Sequence, residues 1–321
     1  MKQVSWSILA IAVLLLGACS GSRENAEPVK AANTSAGKAE AKNVERLKKQ
    51  RDAVVPFFKL MGKPRPGDWL QNFPEKGQTF EEYMASAPTL PTEDRRTIYI
   101  QPIGEFNSEQ KKILELTAEY MRAFYGLPVV MKPVRSLGKV PADKQRKAFY
   151  SNDLQIKTSY FLEDLLPTMI SKDAAGLICL TNVDLYPGDT QMAYVFGQAN
   201  LQQRVGVWSL YRLERPRPKN FTFDLFLDRT LKIAMHETGH MFSLRHCTKY
   251  ECLMSGTNGT FETDRRPLDN CPECMAKVVW ATGDDAAKRY RRLAELWKKA
   301  GRRSESERFL EMEKAVSAVR P

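Results

Sequence analysis

Histidine is scarce in this sequence: the chain of 321 residues contains only three. All three fall within one short stretch, as His236, His240 and His246. A site that needs several imidazoles can therefore be assembled only there. The shortage excludes a second histidine-based centre elsewhere in the chain.

The chain also lacks an apolar run long enough to span a membrane. Its amino-terminal run, which follows Lys2, has about fifteen residues, whereas a spanning helix needs about 20. This length predicts the core of a signal peptide over residues 1–18. The run ends in Leu-Gly-Ala-Cys, which resembles a bacterial lipobox and implies that Cys19 becomes the lipidated first residue of the mature chain. The lipobox predicts a lipid anchor in the bacterial cell envelope. By resemblance to enterobacterial sorting, Ser20 rather than aspartate after the cysteine implies the outer membrane, on its periplasmic side or surface, if the cell is Gram-negative. An ordinary signal peptide is the alternative.

A nucleic-acid-binding pattern is missing as well. The formal net charge is +11, but the basic residues are scattered and form no motif with aromatic residues. The excess charge favours solubility and attraction to anionic phospholipid, polysaccharide or acidic peptides. Nucleic acid is therefore not an expected partner.

The histidine run begins with a His-Glu-x-x-His pattern. His236 and His240 are four residues apart, so on a helix they project from one face and can bind the same metal ion. Glu237 points roughly a third of a turn away, which suits a general base acting on water rather than a metal ligand. His246 follows where the chain has turned back and can supply the third ligand. Three neutral imidazoles with one open position are typical of a catalytic zinc site, and a buried structural pair is the alternative.

Four of the six cysteines follow in two close pairs. Cys247 and Cys252 form the first pair, and Cys271 and Cys274 form the second. Two pairs separated by a loop predict a structural zinc held by four thiolates. Two alternatives remain open, because an oxidising envelope permits disulfides and the Cys-x-x-Cys of the second pair is also a thiol-oxidoreductase pattern.

The succession of HETGHMFSLRHC, CLM and CPEC resembles the archaemetzincin family of zinc metalloproteases, and the likeness extends over residues 96–300. It implies a catalytic zinc on the three histidines, a structural zinc on the four cysteines, and Glu237 as the catalytic base of peptide hydrolysis. Met254 matches the family's Met-turn methionine, which lies beneath the metal and binds nothing. The chain departs from the family in its interval from Met254 to Cys271, which is one residue shorter. It departs also at Ser243, where the family usually has glycine. A non-glycine residue costs on the order of 1 kcal/mol there, so we expect the turn to be looser or differently formed.

The order strand, helix, strand, helix, strand predicts an α/β fold with a largely parallel sheet. The resemblance makes this fold metzincin-like (α+β), with a mixed, mainly parallel twisted sheet, an active-site helix carrying the His-Glu-x-x-His pattern, and helical terminal extensions. The predicted elements are strands at 97–102, 128–134 and 176–181, and helices at 107–125, 154–169, 221–242 and 275–280. By resemblance, residues 204–210 form an edge strand that can pair with an extended substrate. An ordinary edge strand is the alternative.

Five parts are expected along the chain. They are a signal peptide at 1–18, the lipidated cysteine and a flexible tether at 19–43, an N-terminal segment at 44–95, the catalytic domain at 96–283, and a basic helical extension at 284–321. The tether has too few large apolar groups to fold. The N-terminal segment is either a cap on the catalytic domain or an inhibitory pro-segment over its cleft. A thiolate switch is excluded, because Cys19 is the only cysteine before Cys179, and Cys179 itself is expected to be a buried apolar residue.

These features predict a zinc-dependent peptide-bond hydrolase with two zinc ions, one catalytic and one structural. Its expected partners are a peptide or protein substrate and, through the lipid, a membrane. The alternative is a non-catalytic binding lipoprotein that retains zinc for stability.

Overall fold

The computed structural model describes residues 35–149, 151–188, 192–215, 217 and 219–319. The predicted signal peptide, Cys19 and the first part of the predicted tether lie outside the described residues. Within the described ranges, no helix combines the length and the apolar character that a membrane crossing requires.

Two sheets organise the described chain. Their strands are β1 Thr97–Ile103, β2 Val129–Met131, β3 Gln145–Lys147, β4 Leu154–Lys157, β5 Ala174–Thr181, β6 Asp184–Tyr186, β7 Gly197–Asn200 and β8 Val205–Ser209. The main sheet has the order β2-β1-β5-β8-β7, and the smaller sheet has the order β3-β4-β6. In the main sheet β7 alone is antiparallel to its neighbour. The predicted mixed, mainly parallel sheet is confirmed.

The α-helices of the described residues are α1 Ser35–Ala53, α2 Trp69–Asn72, α3 Phe80–Ala85, α4 Ser108–Tyr125, α5 Tyr211–Glu214, α6 Phe223–Met241, α7 Thr260–Thr263, α8 Pro272–Thr282, α9 Ala286–Lys299 and α10 Arg303–Ser317. Two α-helices pack against the main sheet: α4 contacts β2, and α6 contacts β7 and β8. Helix α4 shows why the ends of a helix can be predicted from the sequence. The Asn107 side chain accepts a hydrogen bond from the Gln110 N–H at 2.8 Å, and Gly126 closes the helix with a φ of 65°. Both ends confirm the prediction.

The prediction of one long helix over residues 154–169 is wrong in its first four residues. Residues 154–157 form β4, which pairs in parallel with β6. Helical structure follows directly over residues 158–168, with a π-helix at Tyr160–Leu165 and a 3₁₀ turn at Leu166–Thr168. The apolar spacing fits a helix, but the Gln155 amide donates a 2.8 Å hydrogen bond to the buried Asp184 carboxylate in the neighbouring strand. This long-range partner outweighs the local pattern.

The prediction of an edge strand at residues 204–210 is also wrong. Strand β8 is hydrogen-bonded to β5 on one side and to β7 on the other. The chain reverses at Arg204, which has a φ of 56°, so that β7 folds back along the side of β8 that was expected to be open. An extended substrate therefore cannot pair with β8 in this fold.

Helix α6 carries the first two histidines into the interior. Its amino end is capped by Thr222, whose hydroxyl accepts a hydrogen bond from the Leu225 N–H at 3.1 Å. It packs against β7, β8 and α4. Every residue from Arg229 to Phe242 is buried, so the carboxyl-terminal half is enclosed on all sides, as expected of a core helix.

The terminal helices pack onto this core rather than extending from it. Helix α1 contacts α8 and α10, and α9 contacts α4. Arg289 of α9 is fully buried and donates a 2.6 Å hydrogen bond to Asp269, two residues before Cys271. The described part of helix α1 starts at Ser35, inside the stretch predicted as a flexible tether.

Candidate metal centre

The three histidines meet at the carboxyl end of α6. His236 and His240 lie one turn apart on the same face, and their Nε2 atoms are 3.0 Å apart. The ring centroid of His246 is 5.2 Å from that of His236 and 4.9 Å from that of His240. One nitrogen of each ring lies within 4.8 Å of the others. The predicted trio is therefore brought together closely enough to hold one ion.

A tight turn after α6 returns His246 to the helix. Ser243 adopts a left-handed φ of 64°, and the Leu244 N–H donates to the Gly239 carbonyl at 3.1 Å. The Ser243 hydroxyl accepts a 3.0 Å hydrogen bond from the Thr89 N–H, which offsets part of the cost of on the order of 1 kcal/mol for a side chain in this conformation. The turn keeps the geometry that favours glycine, so the expectation of a looser or differently formed turn is wrong.

Each imidazole is fixed through its Nδ1 atom. The acceptors are the carbonyl of Leu253 for His236 at 2.9 Å, the carbonyl of Leu244 for His240 at 2.6 Å, and the carboxylate of Glu75 for His246 at 2.9 Å. An acceptor at Nδ1 places the ring proton there and leaves the Nε2 lone pair for a metal. Nε2 of His246 is buried and has no hydrogen-bond partner among the described residues. The donor set therefore fits a three-imidazole zinc site.

Glu237 is completely buried in the turn of α6 that begins with His236. Neither of its carboxylate oxygens has a hydrogen-bond partner in the described part of the chain. Burial raises the pKa of this carboxyl group to about 8. A buried carboxyl group without a partner is costly in a folded protein and is a frequent sign of a reacting group.

Met254 packs against α6 where the two helical histidines project. A Cβ atom at Gly239 would lie 2.6 Å from the Met254 sulfur, so the close approach of the methionine requires glycine at that position. The Met254 carbonyl accepts a 2.8 Å hydrogen bond from the Cys247 N–H. Met254 thus packs on the helix that carries two of the histidines, and its role as the Met-turn methionine stays a prediction.

The four clustered cysteines form a second group. The sulfur atoms of Cys247, Cys252, Cys271 and Cys274 lie within 4.8 Å of one another, and all four side chains are buried. The Cys247 and Cys271 sulfurs are 3.6 Å apart, whereas a disulfide requires about 2.05 Å. All four thiols are free in the structure, so the arrangement adopted is a tetrathiol cluster and not a pair of disulfides. Cys179 is buried in β5, as predicted.

Backbone amides point at one of these sulfurs. Cys252 Sγ accepts hydrogen bonds from the N–H of Met254 at 3.4 Å and from the N–H of Cys271 at 3.2 Å. Burial raises the pKa of the Cys252 and Cys271 thiols, while hydrogen bonds from the other three thiols lower that of Cys247. Four thiols buried together can all be ionised only if a cation neutralises them, which is the role of zinc in sites of this type.

The two groups share one loop. Cys252 directly precedes Leu253, whose carbonyl accepts the hydrogen bond from His236. The Leu253 N–H in turn donates to the Asp269 carbonyl at 3.1 Å. The cysteine cluster therefore also supports the position of His236. Asp269 is the residue that Arg289 of α9 holds from the other side.

The chain matches the model of Peptidase family M54 over residues 134–279. It is 33% identical over 262 residues to archaemetzincin-2 of Homo sapiens, which covers 71% of this chain and 71% of the human protein. The chain belongs to the archaemetzincin family. The archaemetzincin of Pyrococcus abyssi is 33% identical over 188 residues, which covers 56% of this chain and 93% of the archaeal protein. The crystal structure of the archaemetzincin from Methanopyrus kandleri shares 25% identity, covers 59% of this chain and 96% of that chain, and has a TM-score of 0.47.

As an archaemetzincin, this protein is a zinc metallopeptidase, and the predicted enzyme class is confirmed. The histidine trio and the cysteine tetrad are the groups of the described residues that can hold a metal ion. Both were located by their spacing in the sequence.

Glu75 is the residue of this archaemetzincin centre that sequence reasoning missed. It contacts His246 across 171 positions of the chain. The segment around it shows no metal-site spacing, and an isolated glutamate gives no signal of such a contact. The missed group therefore lies in the N-terminal segment, for which the sequence left two interpretations open.

Glu237→Gln should stabilise the archaemetzincin at alkaline pH once the exchangeable zinc is removed. Because the folded-state pKa is raised above the ordinary value of 4.5, the carboxyl group contributes its full stability below that value and loses it as the pH rises through about 8. Glutamine does not titrate, so between about pH 5 and about pH 8 the variant should gain up to roughly 4 kcal/mol over the wild type.

The histidines make the stability of the wild type and of Glu237→Gln depend on pH in the opposite direction. Burial lowers the pKa of His236 to about 3 and that of His240 well below its usual range. Stability should therefore fall in both proteins as the pH drops below about 6.5. Urea unfolding at matched residual zinc content measures the difference. The prediction for Glu237 would be contradicted if the two proteins differed by the same free energy of unfolding at acid and at alkaline pH.

Proposed function

We propose that this archaemetzincin hydrolyses peptide bonds with a zinc ion on His236, His240 and His246 and with Glu237 as the general base. The observation that carries the proposal is the Glu237 carboxyl group, which is fully buried beside the trio and without a partner in the described chain. A buried acid in a histidine-only metal site has little structural use, whereas a proton acceptor is required there for hydrolysis.

Zinc, when bound, supplies Lewis acidity that polarises the substrate carbonyl and acidifies water. The chain's own groups do the rest. The occupied Nδ1 atoms fix all three rings with Nε2 toward the ion. Glu237 takes the proton of the attacking water and delivers it to the leaving amine. Its burial keeps other hydrogen-bond donors away from the carboxylate until substrate and water enter.

A non-catalytic binding protein is the competing proposal, and a peptide library separates the two. The zinc-loaded full chain should cleave some members of a broad library, with new amino termini detected by mass spectrometry. Removal of the zinc with a chelator should stop cleavage, and its return should restore it. A protein that contains zinc at the histidine trio and cleaves nothing in the library would be a binding protein.

We infer further that the four cysteines hold a second, structural zinc. Support comes from the burial of all four thiols, from their mutual distances within 4.8 Å, and from the two backbone N–H groups directed at Cys252. A thiol oxidoreductase needs an accessible attacking thiol, whereas Cys271 and Cys274 are completely buried. This observation favours the metal over redox chemistry.

The lipid anchor at Cys19 is likewise a proposal, supported by the Leu-Gly-Ala-Cys pattern after the apolar run. Expressed at full length in a bacterial host, the wild type should incorporate labelled palmitate and sediment with membranes. Cys19→Ser should lose the label and leave the membrane fraction, while Cys179→Ala, a control on a buried thiol, should keep both. Labelling of Cys19→Ser at the wild-type level would contradict the assignment.

A further inference from the structure

Glu75 lies directly behind the third histidine. Its two carboxylate oxygens are 2.9 and 3.0 Å from Nδ1 of His246. The other two histidines are held by backbone carbonyls that are near in the chain: His236 by Leu253, 17 positions away, and His240 by Leu244, 4 positions away. His246 alone among the three depends on a side chain, and that side chain comes from the N-terminal segment at residues 44–95.

Trp69 of α2 holds Glu75 in this place. Its indole N–H donates to the Glu75 carboxylate, and its ring stands edge-on to His246 with centroids 5.3 Å apart. The tryptophan is itself fixed, because its backbone N–H donates to the buried Glu262 carboxylate at 2.9 Å. A Cβ atom at Gly256 would lie 2.4 Å from the indole ring, so the ring packs closely against this glycine.

The same segment is fastened to the turn that carries the third histidine. The Tyr83 hydroxyl donates a 2.6 Å hydrogen bond to the Phe242 carbonyl, and the Thr89 N–H donates to the Ser243 hydroxyl at 3.0 Å. Farther along the loop, the Phe80 N–H donates to Glu273 at 3.0 Å. These hydrogen bonds join the N-terminal segment to the turn after α6 and to α8.

The contact with His246 is made at Nδ1, on the side of the ring away from the ion site. An inhibitory segment that acts on the centre itself would contact the Nε2 side of the ring or the general base. Among the described residues, no hydrogen bond from any segment reaches Nε2 of His246 or the carboxylate of Glu237. The geometry therefore favours support of the centre over obstruction of it.

We propose that Glu75, oriented by Trp69, is a positioning residue for the third zinc ligand, so that the N-terminal segment completes the metal centre instead of inhibiting it. As an acceptor, Glu75 holds the proton of His246 on Nδ1 and directs Nε2 at the ion. A carboxylate in this position also increases the electron-donating strength of the imidazole. The inference rests on the proposed function, in which His246 is a ligand.

The test compares Glu75→Ala, Glu75→Gln and the control Glu93→Ala, which alters an exposed acid of the same segment, in the full chain. Zinc affinity of the histidine site, measured by competition with a chromogenic chelator, should fall by about 10–100-fold in Glu75→Ala. Glu75→Gln should lose less, because the amide oxygen still accepts from Nδ1. Glu93→Ala should equal the wild type.

Cobalt substitution at the histidine site provides a spectroscopic readout that a purely structural role would not change. The visible bands of Glu75→Ala should shift and weaken as His246 loses its orientation, with Glu75→Gln between it and the wild type. Zinc affinity and a cobalt spectrum equal to those of Glu93→Ala would overturn the positioning role. Faster peptide hydrolysis by Glu75→Ala would also overturn it, since that is the result expected of an inhibitory contact.

His246→Ala separates failure of this inference from failure of the proposed function. If His246→Ala keeps the wild-type zinc affinity at the histidine site, His246 is not a ligand and the proposed function itself fails. If His246→Ala loses that affinity while Glu75→Ala does not, only the role of Glu75 is rejected.

Discussion

Glu237→Gln should bind as much zinc as the wild type and hydrolyse peptides at least about 10²–10⁴-fold more slowly. The change preserves the shape of a completely buried side chain, so the three imidazoles keep their Nδ1 partners and their positions. What the amide cannot do is accept the proton of the attacking water. The effect should therefore fall on kcat, with little change in metal content.

The measurement is kcat and kcat/KM on a substrate found in the peptide library, together with zinc per chain for both proteins. Glu115→Gln, a change of the same kind on an exposed position of α4, controls for the preparation and should retain full activity. Undiminished turnover by Glu237→Gln in a preparation free of contaminating peptidase would reject the general-base role. Loss of zinc along with activity would show that the carboxylate supports the metal instead.

Cys252→Ser should reduce bound zinc from two ions per chain to one and destabilise the fold by several kcal/mol. Binding of a structural zinc contributes on the order of 10 kcal/mol to folding in small zinc domains. Cys252 is fully buried, and serine is a poor substitute for a thiolate ligand. The loop that carries Leu253 and Met254 should loosen, so the affinity of the histidine site should also fall, through the lost support of His236.

Zinc content and thiol titration of anaerobically and aerobically purified protein check this prediction. Cys179→Ala is the matched control, because it removes a buried cysteine from β5 without touching the cluster, and it should keep two zinc ions. One zinc per chain in the wild type, with no free thiols among the four clustered cysteines, would establish disulfides in their place. Two zinc ions in Cys252→Ser would show that this cysteine is not a ligand.

The chemistry of the site was accessible from the sequence because it depends on short spacings. A helix places His236, Glu237 and His240 by its own periodicity, and these residues require no knowledge of the rest of the fold. The ends of α4 followed in the same way from a side-chain cap and a glycine. Ser243 was identified as a departure, but its left-handed conformation and its hydrogen bond with Thr89 were visible only in three dimensions.

Longer-range features had no such local signal. Strand β4 looked helical until its pairing with β6 was known, and β8 looked like an edge strand until β7 was seen to cover it. Gln155 and Asp184 of the β4–β6 pair are 29 positions apart, and the energy of bringing such distant segments together is not encoded in any short window. The β7–β8 pair is a hairpin of neighbouring segments, in which the sequence reasoning overlooked β7.

The sequence by itself located the two groups that can hold a metal ion, predicted the general base and determined the enzyme class of this protein, since each depends on residues a few positions apart. Only the tertiary structure decided how the third histidine is held, because Glu75 reaches His246 across 171 positions. Glu75 is held in contact with His246 by Trp69 and by the hydrogen bonds between the N-terminal segment and the turn after α6. Sequence spacing predicts contacts between side chains on the same helix or loop. Contacts between side chains far apart in the chain depend on how the helices, strands and loops pack together.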